Sequence, residues 1–486
     1  MTAELLVRVG APLAAFGLAA LALGTDRRLR LAGLAAWGAG LALYVPYLLP
    51  DERAALIVAA ALGGAAVVAG LGVLFVRWPW AVAFLALAAA PARVPVTVGD
   101  ESANLLLPLY VVVGGAAVAL ALTLWRGPAT KRELGPLAWP LAALVVWFSV
   151  ASLWTEDVRE AVIPLFFYVL PFGLLAVVIS RLPWRERMVG ALGALLLAEA
   201  FVIAAVGVWQ WWTRDIFWNP KVIVSNAYAP FYRVNSVFWD PSIYGRFLVI
   251  AILTALVLLL FRVRPRLELV LGGLIVVAWI GLLLSFSQSS FFALAVGVVA
   301  AAFLAWRWQA AWAVALVAAV MVPVGFAAPQ LDDVRDNLLS SSTDGLNRAT
   351  SGRSKLVGNG LRIAADDPVF GVGTGGFKDA YAARQNLRGE APATASHTTP
   401  VTVAAETGIV GLVLFGWLLV AAFLLAFRGN GAGASTAEKT ALVSGVGVVA
   451  IFTHSLFYNA FFEDPMVWGF LGLTALATRA HGGATS

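Results

Sequence analysis

Runs of about 20 apolar residues recur along this chain, the length a helix needs to cross a bilayer core of about 30 Å at about 1.5 Å per residue. They predict spans over 5–24, 31–49, 54–76, 79–93, 104–125, 136–153, 161–180, 188–210, 243–262, 268–285, 290–306, 310–328, 401–427, 440–459 and 465–479. About 14–15 crossings are expected, the shortest runs being candidates for re-entrant or fused segments. Residues 329–400 break the pattern, being long, polar and rich in Arg, Asp, Gly and Ser. Non-helical backbone cannot face lipid, because its N–H and C=O groups would go unpaired. This stretch therefore lies in water beside the bundle. Apolar residues spaced through it, among them Leu338, Leu356, Ile363, Phe377 and Tyr381, predict packed short helices rather than a disordered connector. The fold class expected is an all-α polytopic membrane protein in five parts. These are N-terminal transmembrane helices over 1–210, a first external site loop over 211–241, central transmembrane helices over 242–328, a long external loop over 329–400, and C-terminal transmembrane helices over 401–486.

The turns add sidedness. Basic turns carry Arg27, Arg28 and Arg30; Arg77; Arg126, Lys131 and Arg132; Arg181, Arg185 and Arg187; Arg262, Arg264 and Arg266; Arg307; and Arg428 with Lys439. The turns between them, such as DER at 51–53, GDES at 99–102, TEDVRE at 155–160 and FFEDP at 461–465, are acidic or nearly neutral. Cytoplasmic loops hold the excess Lys and Arg. Every second turn thus faces the cytoplasm, and 211–241, 329–400 and the N-terminus face outward.

Composition agrees: the 486 residues are 61% hydrophobic and 12% charged, against about 25% charged in soluble domains. The chain has no Cys and three His, which excludes thiolate chemistry and makes a His-rich zinc site a poor reading. A net charge of +6 sets topology in a polytopic chain and does not imply nucleic acid. No Walker-type phosphate loop is present, and GVGTGGF at 371–377 follows an acidic loop rather than a strand, so a nucleotide-binding reading is weak.

The candidate chemistry gathers on the outward side. Arg233 stands in a short external loop, and Asp240-Pro241 marks the start of the next span. Arg246, a turn inside that span, is either functional or a snorkelling arginine. Arg353 and Arg362 lie on the segment SGRSKLVGNGLRIAADDPVFGVG, where a planar guanidinium suits bidentate phosphate binding. His397 precedes a span and is a general base by residue type, or an ordinary surface histidine. Glu406 follows it, and Glu199 sits mid-span, where a carboxylate is either functional or paired with a neighbouring helix. His454 and Glu463-Asp464 are weaker candidates.

In order, these pieces are RVNSVFWDP, a Ser-rich span end LLLSFSQSS, SGR…LRIAADDPVFGVGTGGF, and a histidine before AAETGIVGL. Together they resemble the O-antigen ligase and O-antigen polymerase superfamily of bacterial membrane glycosyltransferases, over roughly Trp211 to the C-terminus. The resemblance implies glycan transfer from an undecaprenyl pyrophosphate carrier at the external face of the inner membrane, metal-independent and inverting, with no cofactor. The lipid-linked glycan, membrane lipids and a chain-length regulator are the implied partners. It gives Arg233 and Arg353 the pyrophosphate, His397 the acceptor hydroxyl and Glu406 the acidic position of the following helix. Arg246, Asp240, Arg362, Gln288 and Glu199 remain as substrate-binding candidates. Ligases often carry a charge at the Ser-rich span end where this chain has Gln288, and the spacing from Arg362 to Gly373 resembles a polymerase motif. Both lean toward polymerase. A lipid-linked glycan transporter is the competing class. It predicts inverted repeats and broken midplane helices, which the sequence does not display. A structural scaffold for envelope synthesis is the third reading.

Overall fold

The computed structural model describes residues 3–44, 54–98, 101–126, 132–217, 219–228, 231–261, 264–306, 353–385, 393–428 and 435–484. In chain order the helices are α1 (Ala3–Leu23), α2 (Arg27–Ala42), α3 (Ala54–Arg77), α4 (Ala81–Ala89), α5 (Leu107–Arg126), α6 (Ala138–Ala151), α7 (Val158–Ser180), α8 (Glu186–Thr213), α9 (Pro220–Tyr228), α10 (Pro241–Leu260), α11 (Pro265–Ser285), α12 (Gln288–Trp306), α13 (Arg353–Asp366), α14 (Phe377–Gln385), α15 (Thr399–Ala426), α16 (Thr436–Ser455) and α17 (Pro465–Ala484). Among the described residues, eight helices are long and apolar enough to cross a membrane, and three shorter apolar helices accompany them. The chain is a multi-pass helical membrane protein. The expected span 310–328, with much of the 329–400 loop, lies outside the described residues.

One expected run forms a shorter helix than its apolar length suggests. At 79–93, α4 holds nine residues, about 14 Å of helix, and Pro91 follows shortly after its end. A hairpin of β1 (Val94–Val98) and β2 (Glu101–Leu105), paired antiparallel, then leads into α5. Pro95 and alternating small polar residues end the apolar run there. The expected short helices of the long loop are present as α13 and α14, whose buried faces carry Ile363, Phe377 and Tyr381.

Small residues let the helices close on one another without a hydrophobic driving force between them. At the α1–α2 crossing a Cβ on Gly17 would stand 2.4 Å from the Gly33 carbonyl. The two ends of the bundle differ in chemistry. At one end Arg30 and Arg181 both bind Glu133, at 2.7 and 2.9 Å, and Arg132 donates to the Leu23 carbonyl. Burial pushes the Glu133 carboxyl up, but the bond from Arg30 and the charge of Arg181 outweigh it and hold the group low. At the other end Arg8 of α1 donates to the Leu153 and Thr155 carbonyls, Trp154 reaches Gly371, and the segments 231–240, 285–290, 393–399 and 456–464 meet. The basic turns and the long-loop helices thus occupy opposite ends, as the charge alternation predicts. Cysteine at Ser225, exposed on α9, is expected to label in intact cells with an impermeant maleimide, and cysteine at Ser435, which caps α16, is expected to stay protected. The reverse labelling pattern would invert the topology.

Candidate active site

The site begins where the chain leaves α9. Asn226 and Arg233 exchange two hydrogen bonds: the Arg233 N–H donates to the Asn226 side chain at 3.0 Å, and Asn226 Nδ2 donates to the Arg233 carbonyl at 2.8 Å. The chain then leans on the end of α11, whose last carbonyls have no partners within their own helix. Val234 N–H donates to the Leu284 carbonyl at 3.1 Å, and Arg233 Nε donates to the Ser285 carbonyl at 3.0 Å. Ser236 takes a left-handed φ of 54°, fixed by a reciprocal pair of bonds with Gln210 of α8. Asp240 caps α10 by accepting from Ser242 N–H at 2.6 Å. A short polar loop is thereby held on three helices. Arg233 spends only Nε on the protein, and its two Nη groups bond no other described residue.

Around that guanidinium stand Asp240, Arg353 and Tyr458, and around His397 stand Arg353 and Asp240. Arg353 opens α13, so two arginines, an aspartate, a tyrosine and a histidine from four separate segments share one field. Burial pulls the Arg233 guanidinium down and Arg353 adds to this, while Asp240 opposes both. His397 keeps an exposed side chain that opens onto the cavity. The protein around it still withdraws enough water to push the imidazole below its ordinary value, Arg353 adds to the push, and Asp240 opposes it. The imidazole is therefore neutral at pH 7 and able to accept a proton. Tyr458 is pushed the other way, by burial and then by the Asp240 and Glu463 carboxylates, and stays a neutral phenol.

The backbone of His397 is itself unusual. Its φ is 64°, a region non-glycine residues seldom occupy and one that costs about 1–3 kcal/mol. A knot of hydroxyls holds it there. Ser396 N–H donates to Thr402 Oγ1 at 3.2 Å, Ser396 Oγ donates to the Thr398 carbonyl at 2.9 Å, and Thr398 N–H returns to Ser396 Oγ at 3.3 Å. The ASHTT sequence is thus a turn that presents the imidazole just before α15 begins.

Behind it, α15 is kinked at Gly408 (φ 65°, ψ −168°), which leaves carbonyls of its first segment unpaired within the helix. The GVGTGGF loop fills them: Val372 and Gly373 N–H donate to the Ala405 and Glu406 carbonyls at 3.0 and 2.9 Å. Contact is backbone to backbone. A Cβ on Gly371 would stand 2.4 Å from Glu406 main chain, and one on Gly408 would stand 2.1 Å from the Val369 carbonyl. The glycines therefore serve packing, which disposes of the nucleotide-loop reading. Gly408→Ala is expected to destabilise the protein by about 1–3 kcal/mol from the left-handed φ alone, with the clash added. A melting temperature equal to wild type would overturn that.

A cavity of about 670 Å³ lies against these segments, lined by His397, Glu406, Glu160, Glu463, Tyr458 and Lys221 among others. Glu406 faces it while also receiving the backbone N–H groups of Gly375 and Phe377 at the start of α14, so its carboxylate caps that helix. Lys378 of α14 pairs with Glu160 on the facing wall. Glu463 is pushed up by burial, against the pull of Arg93 and Arg246.

Of the residues read from the sequence, Arg233, Arg353, Asp240 and His397 are brought together, and Glu406 shares the cavity wall with His397. The others are placed differently. Arg246 is buried and paired with Asp464 at 2.8 Å, with a further bond to the Ala460 carbonyl, so its fork is spent inside the protein. Arg362 is exposed on α13, whose buried face is made by Asn359, Gly360 and Ile363. Gln288 is exposed at the start of α12. Glu199 lies eleven residues before Gln210 on α8, about 16 Å along the helix, with Oε2 buried and unpartnered among the described residues. Tyr458, Glu160 and Lys221 escaped the sequence reading. A tyrosine after a span and charges in surface turns carry no periodic signal, and only the fold makes them neighbours.

Residues 273–416 match a family model described as O-Antigen ligase. Over that stretch the chain is similar to the O-antigen ligase family. The matched stretch contains Arg353, His397 and Glu406, while Arg233, Asp240 and Tyr458 come from outside it. No curated protein matches the chain. The similarity supports a membrane glycosyl-transfer function of the O-antigen ligase or polymerase type.

Proposed function

We propose that the chain polymerises polysaccharide repeats, taking the growing glycan from an undecaprenyl pyrophosphate carrier on the periplasmic side of the inner membrane. The observation that carries this is the meeting of two arginines with a neutral histidine beside a cavity at one end of the bundle. The donor supplies its own driving force. The acceptor hydroxyl attacks the anomeric carbon, its proton passes to His397, and the bond to the pyrophosphate oxygen breaks. The charge that develops on that oxygen meets Arg233 and Arg353, donors already in place before the reaction. Attack opposite the leaving group inverts the anomeric centre.

Polymerase is preferred over ligase because this chain has an uncharged Gln288 at the Ser-rich span end, where the ligases of the superfamily it resembles often carry a charge. The ligase reading, in which a lipid acceptor takes the glycan once, is favoured by the description of the matching family. Purified protein given a lipid-linked repeat distinguishes them: a ladder of products on a gel supports polymerisation, and a single transfer to an added lipid acceptor supports ligation. Translocation without any new glycosidic bond would sink both.

A further inference from the structure

The Ser-rich corner between α11 and α12 contains a buried polar network that glycosyl transfer does not directly use. His454 of α16 is fully buried, and its Nε2 lies 3.0 Å from Ser289 Oγ. Ser289 Oγ lies 3.1 Å from Ser287 Oγ, which lies 2.8 Å from Ser290 Oγ, and Ser290 Oγ reaches the Ser242 carbonyl of α10 at 3.3 Å. Ser287 N–H donates to Ser285 Oγ at 3.2 Å. The Ser285 carbonyl is the acceptor for Arg233 Nε. The chain of contacts therefore runs from a histidine in one helix, through three hydroxyls, to the carbonyl on which a site arginine rests. The corner has no slack: a Cβ on Gly245 would stand 2.6 Å from Ser290 Oγ and 3.0 Å from Ser285 Oγ.

Burying this many polar groups costs free energy unless each is bonded. A leucine-and-alanine corner would pack at lower cost, so the network needs a reason beyond filling space. The α11 end is also the only support for the Arg233 side chain among the described residues, and a guanidinium that binds a pyrophosphate must be held to within about half an ångström. Arg246, which stands close enough to His454 to act on its charge, is already paired with Asp464 and leaves the imidazole to the serines.

We propose that His454 is a positioning residue that sets the affinity of the site for its pyrophosphate carrier, by fixing the serine corner against which Arg233 is braced. The inference rests on the reading of Arg233 as a carrier-binding arginine. Loss of the His454–Ser289 contact lets the corner shift, so carrier binding weakens and donor KM rises, while the proton transfer at His397 is untouched and kcat at saturation is kept.

The test uses full-length protein in nanodiscs and undecaprenyl pyrophosphate as the binding probe, with Arg233→Ala, Ser289→Ala, His454→Ala, His454→Gln and the double variant Arg233→Ala/Ser289→Ala. Ser289→Ala and His454→Ala are expected to weaken binding about threefold to tenfold, the loss of one neutral hydrogen bond. His454→Gln, which keeps a polar group within reach of Ser289, is expected to recover most of it. The double variant is expected to bind no worse than Arg233→Ala alone, because coupled groups are not additive. Wild-type binding in both Ser289→Ala and His454→Ala would overturn the inference, and so would additive losses in the double variant. A fall in binding matched by Ser444→Ala, a buried serine remote from the corner, would reduce it to general destabilisation and overturn it as well. Unchanged binding in Arg233→Ala would instead remove the carrier-site reading on which it rests.

Discussion

Replacing His397 with alanine is expected to remove about 100- to 10,000-fold of turnover, the usual contribution of general-base catalysis, while leaving carrier binding close to wild type. Binding and turnover should separate because the proposed mechanism gives the charged part of the donor to the arginines and only the proton to the imidazole. The pH profile gives an independent check. Burial and Arg353 depress the His397 pKa, so its basic form is present at pH 7 and rate should fall only as pH drops through that lowered value. The acidic limb should vanish in His397→Ala. It should move to higher pH in Arg353→Ala, which removes a charge that depresses the imidazole. It should move to lower pH in Asp240→Asn, which removes the opposing one. Glu406 is the main competitor for the role of base, and Glu199 the other. If His397→Ala keeps full turnover at saturating donor while Glu406→Gln or Glu199→Gln eliminates it, the base is a carboxylate.

Arg233→Ala and Arg353→Ala are each expected to cost about tenfold to a hundredfold in carrier affinity or rate, the loss of a charge-assisted bond of about 1.5–3 kcal/mol. Lysine is expected to rescue poorly, having no planar fork, and worst at position 233, where Nε is already committed to the Ser285 carbonyl. A lysine there must choose between that carbonyl and the phosphate. Arg362→Ala, at an exposed position on the same helix as Arg353, should change neither quantity by more than about twofold. Full binding and turnover in both Arg233→Ala and Arg353→Ala would remove the pyrophosphate from this pocket.

Length and hydropathy made the bundle legible in the sequence, because an apolar run of membrane length is rarely stable anywhere but in lipid or a large core. Charge alternation sorted the turns to two ends, and the structure keeps that sorting: Glu133 with its arginines lies at one end and Arg233 with His397 at the other. Hydropathy did not reveal the helix length at 79–93, since apolar residues after Trp78 look the same whether all of them are helical or the helix stops near Pro91. Arg233, Asp240, Arg353 and His397 could be named from their polar loops, but nothing in their spacing states that four distant segments converge. Arg246 and Arg362 show the reverse difficulty. Both are arginines near the right segments, and only packing reveals that one is paired with Asp464 and the other faces outward. His454 looked like an isolated histidine, because its partners lie 165 residues away in sequence.

The seam between the GVGTGGF loop and the Gly408 kink is made from main-chain atoms, whose identity does not change when side chains do. The wall of the cavity beside it, at Ala393, Thr394, Ala395 and Thr399, is made from small side chains instead. Anchorage and selectivity are thereby written in different alphabets. Substitutions along that wall can reshape the space offered to a sugar while the bonds that place Glu406 and His397 stay as they are. A scaffold of this kind can change the shape of its cavity by point mutation and needs no new fold to do so.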